Sequence, residues 1–328
     1  MSAARRIVAV LGGNAFAAPD GNLTMDGQFR YAERALAALL PLLSPPNEVL
    51  IGHGNGPQVG HMLVRVERAR GEAYPLPLDV CVAESQGELG YVLARTLDGL
   101  LAARGLRRPV ASLLTQVVVD PDDPAFAHPT KPIGPVYDDD PAAALRAQGV
   151  PVRRIGARGW RRVVPSPHPL EVVEREVIAA LLAQGAVVIA GGGGGVPVVR
   201  RQGHLVGVEA VIDKDHLAAL LAELVGADLL VILTDVPCAY RDFGTPAQTP
   251  IGAITAADLG ALVATGAFAE GSMGPKLEAA ARFANRPGRR AIICNPDSLE
   301  DALAGRAGTI VHPPPALPEP PPQPPPEP

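Results

Sequence analysis

The chain has 328 residues, a length that accommodates one large domain or two lobes. Hydrophobic residues make up 47% of it and aromatic residues only 4%, so aliphatic side chains must dominate a sizeable core. The formal net charge of −5 argues against a nucleic-acid-binding protein, because such proteins present a basic surface. No apolar stretch reaches the length of a membrane span, and we expect no membrane partner.

Cysteine usage and the N-terminus predict a cytoplasmic protein. Cys81, Cys238 and Cys294 are too few and too far apart for a zinc site or a disulfide framework. We expect them to be buried free thiols, as is usual in a reducing compartment. The N-terminal apolar segment is too short for a signal peptide and runs directly into a glycine turn.

Apolar strands and alanine-rich helices alternate along the first third of the chain. The predicted strands are residues 5–11, 48–53 and 109–119. The predicted helices are residues 24–40, 57–69 and 79–102, the last with Asp79 as its N-cap. This alternation predicts a parallel sheet that is covered by helices on both faces.

The first two strands each end in a turn of glycine and asparagine. Gly12, Gly13 and Asn14 follow the first strand, and Gly54 and Asn55 follow the second. Ligands of open α/β sheets bind beyond the carboxyl ends of the strands, and glycine lets backbone N–H groups approach an anion. An ordinary structural turn remains the simpler explanation of the first turn alone, whereas a second anion-facing strand end is the better interpretation of the turn after the second strand. The glycine spacing does not match a dinucleotide-binding fingerprint.

Residues 120–165 interrupt the alternation with a proline-rich insertion. Its prolines exclude a core helix or a central strand, apart from a short helical piece at 143–149. Insertions of this length are functional or disordered. Within HPTKPIGP, nearby prolines restrict the backbone around Lys131 and would present that lysine at low entropic cost. A solubilising surface lysine is an equally good explanation.

A second glycine-rich stretch follows a predicted helix at 171–183 and a strand at 187–190. Five glycines occupy residues 191–195, and apolar arms at 196–200 and 205–211 predict a hairpin. The triplet Asp213, Lys214 and Asp215 then stands at the start of a helix. Because glycine loops and helix N-termini both favour anions, we interpret the stretch as half of a phosphate site. A tight turn with an N-cap aspartate is the alternative.

The last third of the chain adds a possible nucleotide loop and a third lysine. After a strand at 229–234, the loop 235–249 contains Tyr240 and Phe243, which suit either a nucleoside pocket or ordinary packing in the core or at its rim. A helix at 255–265 precedes residues 271–276, where Lys276 stands at a glycine-rich helix start. Closing strands are predicted at 291–294 and 309–311, and the proline-rich residues 313–328 predict a disordered tail.

The pieces together predict phosphoryl transfer by positioning and charge neutralisation. The lysines Lys131, Lys214 and Lys276 stand at rigid positions or at helix starts, and Asp213 would fix their directions. There is no P-loop motif, no protein-kinase motif set and no metal-ligand cluster in the sequence. An acceptor that is already ionised would need no strong base.

The motifs VAVLGGNAF, IGHGNGPQVG, HPTKPIGP, ARGWRRVVPSP, GVEAVIDKD and GSMGPK resemble those of the carbamate kinases, a family of the amino-acid-kinase fold. The resemblance implies an α/β fold: a three-layer αβα sandwich with a central, mostly parallel sheet, a protruding subdomain and a homodimeric assembly. It places the kinase domain at residues 1–312. Of these, about 1–175 form the carbamate lobe with the subdomain at about 120–165, and about 176–312 form the nucleotide lobe.

The resemblance also implies the reaction and the residues that perform it. The reaction is reversible phosphoryl transfer between ATP and carbamate, giving ADP and carbamoyl phosphate, often toward ATP in arginine catabolism. Mg²⁺ would be held by the nucleotide phosphates. The implied catalytic residues are Lys131, Asp213, Lys214 and Lys276. The implied phosphate-binding residues are Gly12, Gly13, Asn14, Gly54, Asn55, Gly192 and Gly193. The implied nucleotide-binding residues are Thr234, Asp235, Tyr240, Phe243, Met273 and Gly274.

Two departures from the family pattern concern the nucleotide. Residues 241–246 replace an asparagine-tyrosine-glycine-lysine-proline run, and Ala267 replaces a commonly polar residue. Two other functions stay open. One is transfer to another carboxylate or to a phosphonate on the same fold, and the other is a non-enzymatic nucleotide sensor or scaffold that uses the proline-rich tail.

Overall fold

The structure is a computed structural model that describes residues 4–12, 24–156, 159–268 and 272–315. In chain order the strands are β1 (Arg6–Leu11), β2 (Glu48–His53), β3 (Val110–Ser112), β4 (Gln116–Val119), β5 (Lys131–Tyr137), β6 (Val152–Arg154), β7 (Trp160–Val164), β8 (Pro169–Val172), β9 (Val187–Ile189), β10 (Val196–Arg201), β11 (His204–Gly207), β12 (Leu229–Leu233), β13 (Ala239–Arg241), β14 (Thr249–Ile251), β15 (Ala253–Thr255), β16 (Arg290–Cys294) and β17 (Thr309–His312). The helices are α1 (Met25–Leu39), α2 (Gly56–Arg68), α3 (Leu78–Ala103), α4 (Asp139–Ala147), α5 (Arg175–Ala183), α6 (Lys214–Leu224), α7 (Ala256–Ala264), α8 (Met273–Ala284) and α9 (Leu299–Leu303).

The main sheet has eight strands in the order β15-β17-β16-β12-β1-β2-β9-β3. The six strands from β16 to β3 run parallel, and β17 is antiparallel to β16 while pairing in parallel with β15. The predicted, mostly parallel sheet is therefore confirmed. None of the helices that the structure describes has the length and apolarity needed to cross a membrane.

Two apolar clusters cover the two faces of this sheet. Successive residues of a strand point to opposite faces, so Val8 and Val10 belong to one cluster and Ile7 and Ala9 to the other. Helices α5, α6, α7 and α8 pack on the first face, and α1, α3 and α9 on the second. The result is the expected three-layer αβα sandwich. Both faces being covered explains why the strands are continuously apolar.

The order in which the chain adds strands to the sheet reverses at the centre of the sheet. Strand β1 pairs with β2 on one side and with the much later β12 on the other. The carboxyl ends of these parallel strands meet at one edge, and an open α/β sheet leaves a crevice outside that edge. Gly12, Gly54 and Thr234 follow directly after β1, β2 and β12.

The proline-rich insertion forms a small sheet of its own, in the order β5-β7-β6, with α4 beside it. Of the two expectations for this insertion, functional or disordered, its regular strands and helix contradict disorder, and they form the expected subdomain. Strand β5 contains Pro132 and Pro135, which the sheet tolerates because β5 lies at its edge, where a missing N–H costs no ladder bond. Ile133 and Val164 pack with Val59 of α2, which ties this subdomain to the main body.

Three local predictions were also wrong. The strand predicted at 109–119 is two strands in different sheets, β3 and β4, since Gln86 binds the backbone of Thr115 between them. Helix α3 begins at Leu78 with Pro77 as N-cap, so Asp79 lies in its first turn. The helix predicted from 171 begins at Arg175, because residues 169–172 form β8 of the second sheet, β11-β10-β4-β8.

Candidate active site

A cavity of about 660 Å³ opens at the edge where the strands of the main sheet end. Its walls come from the turn after β2 and the start of α2, from β5 of the subdomain, from the glycine loop, and from the starts of α6 and α8. Segments that are far apart in the sequence therefore meet in one cleft. The cleft lies at the crevice that the strand order of the sheet predicts.

The glycine loop after β9 has a backbone conformation that residues other than glycine rarely adopt. Gly191, Gly193, Gly194 and Gly195 all have positive φ, between 66° and 96°. A side chain at Gly193 would overlap the Asn55 amide, and one at Gly194 would overlap the carbonyl of Ile212. The backbone of the loop therefore packs directly against Asn55 on one side and Ile212 on the other.

Asp213 joins the subdomain to the main body. Its Oδ2 accepts a hydrogen bond from Nζ of Lys131 at 2.6 Å, and these side chains are 12% and 27% exposed respectively. Its Oδ1 accepts from the backbone N–H of Asp215 at 2.9 Å, so Asp213 is also the N-cap of α6. Asp213 is thus both the N-cap that the sequence predicted and the partner of Lys131.

Asp215 is the functional acid that the sequence reasoning passed over. It is 1% exposed, and its two oxygens accept hydrogen bonds from Nζ of Lys214 at 2.7 Å and from Nζ of Lys276 at 3.1 Å. Asp213 therefore fixes the direction of Lys131, whereas Asp215 fixes the other two lysines. The signal in the sequence was the second acid of the triplet, which stands in the first turn of α6.

The electrostatics of this cluster keep most of its members charged. Burial raises the pKa of Asp213, but the charges of Lys131 and Lys214 outweigh burial and lower that pKa well below its ordinary value. Burial lowers the pKa of Lys214, but Asp215 and Asp213 raise it by more. The pKa of Lys276 is lowered, first by burial and then by the neighbouring charge of Lys214. Of the two lysines bound to Asp215, Lys276 is thus the one whose proton is easier to remove.

The structure brings most of the predicted catalytic and phosphate-binding residues into this cavity. The predicted residues that line it are Gly12, Gly54, Asn55, Lys131, Gly193, Asp213, Lys214, Thr234, Asp235 and Lys276. Gly192 is buried against His53 and Gln86 behind the wall. Gly13 and Asn14 lie outside the described residues, so their predicted role stays a prediction.

Four further residues that the resemblance implies for nucleotide binding are not among those that line the cavity: Tyr240, Phe243, Met273 and Gly274. Tyr240 and Phe243 contact one another, with ring centroids 5.9 Å apart, and Phe243 is 66% exposed. Met273 packs against the core, and Gly274 is buried in the first turn of α8. Their contact with a nucleotide stays a prediction.

Arg161 is a further cation that the sequence reasoning did not single out. It lines the cavity from β7 of the subdomain, and its Nε donates to the carbonyl oxygen of Gly134 at 3.0 Å. It belongs to the ARGWRRVVPSP motif, which was noted only for its resemblance. The subdomain thus contributes two positive side chains, Lys131 and Arg161, to one wall of the cavity.

Comparisons with known proteins agree with this architecture. Residues 136–295 match the model of the amino acid kinase family. The carbamate kinase of Thermococcus kodakarensis is 44% identical over 94% of this chain and 99% of its own length. The carbamate kinase-like protein YqeA of Escherichia coli is 43% identical over 94% of this chain and 99% of its own length.

A solved structure of the carbamate kinase from Giardia lamblia, bound to AMP-PNP, matches with a TM-score of 0.89 and 38% identity, covering 96% of this chain and 100% of that one. The fold and its lysine-lined crevice define an amino acid kinase. Within that fold, the chain belongs to the carbamate kinase family.

Proposed function

We propose that this chain catalyses reversible phosphoryl transfer between ATP and carbamate, giving ADP and carbamoyl phosphate. The single observation that carries the proposal is the meeting of Lys131, Lys214 and Lys276 with two aspartates in one glycine-walled cavity. The similarity to carbamate kinases over nearly the whole chain supports the choice of acceptor.

The geometry suits a reaction that needs charge neutralisation more than proton transfer. In the forward direction a carbamate oxygen forms a bond to the γ-phosphorus while the bond to the ADP oxygen breaks. Carbamate is already an anion, so no base has to remove a proton first. A lysine about 4 Å from a phosphoryl oxygen contributes about 4 kcal/mol of attraction at an effective dielectric constant near 20. Several lysines would therefore offset the repulsion between two anions.

Mg²⁺ is proposed to accompany the nucleotide. Within residues 4–12, 24–156, 159–268 and 272–315, no group of three or more histidine, cysteine or acidic side chains is arranged to hold a metal. Asp213 and Asp215 are each paired with lysines. We therefore expect oxygen atoms of the nucleotide phosphates and of water to hold the metal. When bound, Mg²⁺ would neutralise part of the phosphate charge, and the lysines would supply the remainder.

The test is an assay for ATP made from ADP and carbamoyl phosphate with Mg²⁺ present. We expect ATP formation well above the background without enzyme. A panel with carbamate, acetate, other carboxylates and a phosphonate as acceptors of the ATP phosphoryl group would establish the acceptor. Absence of ATP formation would contradict the proposal, and a clear preference for another acceptor would replace carbamate.

We also propose a homodimer, supported by an exposed aromatic cluster on α1 and α3. Tyr91 is 59% exposed and meets Phe29 edge to face at 6.2 Å, while the guanidinium of Arg95 lies 4.6 Å above the Phe29 ring. Exposed aromatic and arginine side chains are typical of protein interfaces. Light scattering should report a dimer for the wild type and a monomer for Tyr91→Glu; a monomeric wild type would contradict the assembly.

The setting of the reaction is likewise a proposal. We infer a cytoplasmic enzyme of arginine catabolism that works toward ATP, as the resemblance to the carbamate kinases implies. All three cysteines are buried free thiols, which is the usual state in a reducing compartment. Burial raises the pKa of Cys294 to about 12, so this thiol stays protonated and serves as an apolar core group.

A further inference from the structure

A chain of buried polar side chains stands behind the wall of the cavity, on helix α3. Ser85 is fully buried and Gln86 is 4% exposed, and the sequence reasoning assigned a function to neither. Buried polar groups in a helix that otherwise packs on apolar residues need partners, because an unpaired one costs free energy. The partners here are Asn55, which lines the cavity, and Thr115, which binds the start of the glycine loop.

Ser85 fixes the side-chain amide of Asn55. The Ser85 hydroxyl donates to the carbonyl oxygen of Val82 at 2.6 Å, so its oxygen is left to accept from Nδ2 of Asn55 at 2.7 Å. The amide is also packed against Gly193, where a Cβ atom would overlap it. Asn55 lines the cavity and is held between one hydrogen bond and one backbone contact.

Gln86 fixes the glycine loop from the neighbouring position. Its Oε1 accepts from the backbone N–H of Thr115 at 2.9 Å, and its Nε2 donates to the carbonyl oxygen of Thr115 at 3.2 Å. The Thr115 hydroxyl oxygen in turn accepts from the N–H of Gly191 at 2.8 Å, where the loop begins. Helix α3 thus holds both sides of the contact between Asn55 and the glycine loop.

We propose that Ser85 is a positioning residue for the phosphoryl transfer: it holds the Asn55 amide against Gly193 so that both face the transferred group. The inference rests on the proposed function and names a residue that touches no reacting atom. The physical reason is preorganisation, since a polar group that is fixed before the reaction stabilises the transition state without further reordering. An amide released from Ser85 could rotate away from the phosphoryl group.

The test measures steady-state kinetics of ATP formation for the wild type, Ser85→Ala and a matched control. The control is Thr96→Ala, because the Thr96 hydroxyl makes the same kind of bond to its own helix, to the Val92 carbonyl at 2.7 Å. Thr96 lies roughly 16 Å further along α3. We expect Ser85→Ala to lower kcat about tenfold with KM for ADP and carbamoyl phosphate nearly unchanged, and Thr96→Ala to leave both unchanged.

A double-mutant cycle asks whether Ser85 acts through Asn55. In an Asn55→Ala background, Ser85→Ala should change kcat by less than about twofold, because the amide that it positions is gone. If Ser85→Ala lowers kcat in that background as much as it does in the wild type, the proposal is overturned. Ser85→Cys keeps the size of the side chain with a weaker acceptor, and it should give an intermediate kcat even if Ser85→Ala folds poorly.

The outcomes separate this inference from the function on which it rests. A wild type that makes no ATP would overturn both. An active wild type with an unchanged kcat for well-folded Ser85→Ala, or with equal losses for Ser85→Ala and Thr96→Ala, would overturn the positioning role alone. Thermal unfolding of each variant gives its folded fraction, so that kcat is expressed per folded molecule.

Discussion

Two aspartates at the start of one helix hold two different parts of the active site. Asp213, the N-cap of α6 in the main body, binds Lys131 at the start of β5 in the subdomain, and both side chains keep some contact with solvent. Asp215 binds Lys214 and Lys276, is almost completely buried, and joins α6 to α8 within the main body. The cluster therefore has one part held within the main body and one part that the subdomain contributes.

The burial of Asp215 explains its different task. A buried carboxylate is tolerated only when it is paired and hydrogen-bonded, and the two lysines satisfy both conditions. The Asp213 side chain is 12% exposed and that of Asp215 only 2%, so the bond between Asp213 and Lys131 is easier to exchange for a bond to a substrate anion. The lysine of the subdomain is therefore the cation whose partner would change during the reaction.

The largest expected effect is the loss of a lysine from either part. Lys131→Ala and Lys276→Ala should each lower kcat on the order of 100- to 1000-fold, as for removal of one preorganised electrostatic group. Steady-state ATP formation measures the change. Near-normal turnover in both variants would show that neither part of the cluster contributes to the reaction.

The two aspartates should differ in what their removal costs. Asp215→Asn leaves two lysines without a carboxylate in a buried site, so we expect a loss of about 3 kcal/mol in the free energy of unfolding together with a large loss of kcat. Asp213→Asn should lower stability by less, because its surroundings are more exposed. Denaturant unfolding compares the variants, and equal losses would contradict the distinction between the two acids.

A smaller effect is expected in the pH profile. Lys276 must be protonated to attract a phosphate, and its pKa is lowered by burial and by Lys214, so kcat/KM should fall with rising pH before the ordinary lysine pKa of 10.5 is reached. Lys276→Arg retains the charge and should move this fall to higher pH. If kcat/KM of Lys276→Arg falls at the same pH as that of the wild type, the fall is caused by the titration of another group.

The smallest expected effect comes from the C-terminal end. Deletion of residues 313–328 should leave kcat, KM and thermal stability unchanged, since a sequence so rich in proline predicts no contribution to the core and no predicted site residue lies within it. The comparison uses the same ATP assay and thermal unfolding. A loss of activity on deletion would mean that this segment contributes to the site.

Much of the architecture could be predicted from the order of residue types along the chain. Continuous apolar runs such as β1, β2 and β12 predicted a sheet buried on both faces, because an exposed face would have required alternating polar residues. The glycine turns and the three lysines predicted an anion site for local reasons: backbone freedom, helix starts and charge. These properties depend on near neighbours in the sequence.

The tertiary structure alone determines which aspartate binds which lysine. Asp213 and Asp215 look equivalent in a sequence. At the start of α6, however, the first is directed toward the subdomain and the second into the core. It likewise decided that β5 is an edge strand where prolines are allowed, and that Ser85 faces Asn55. Such pairings depend on segments that are far apart in the chain, and packing alone brings them together.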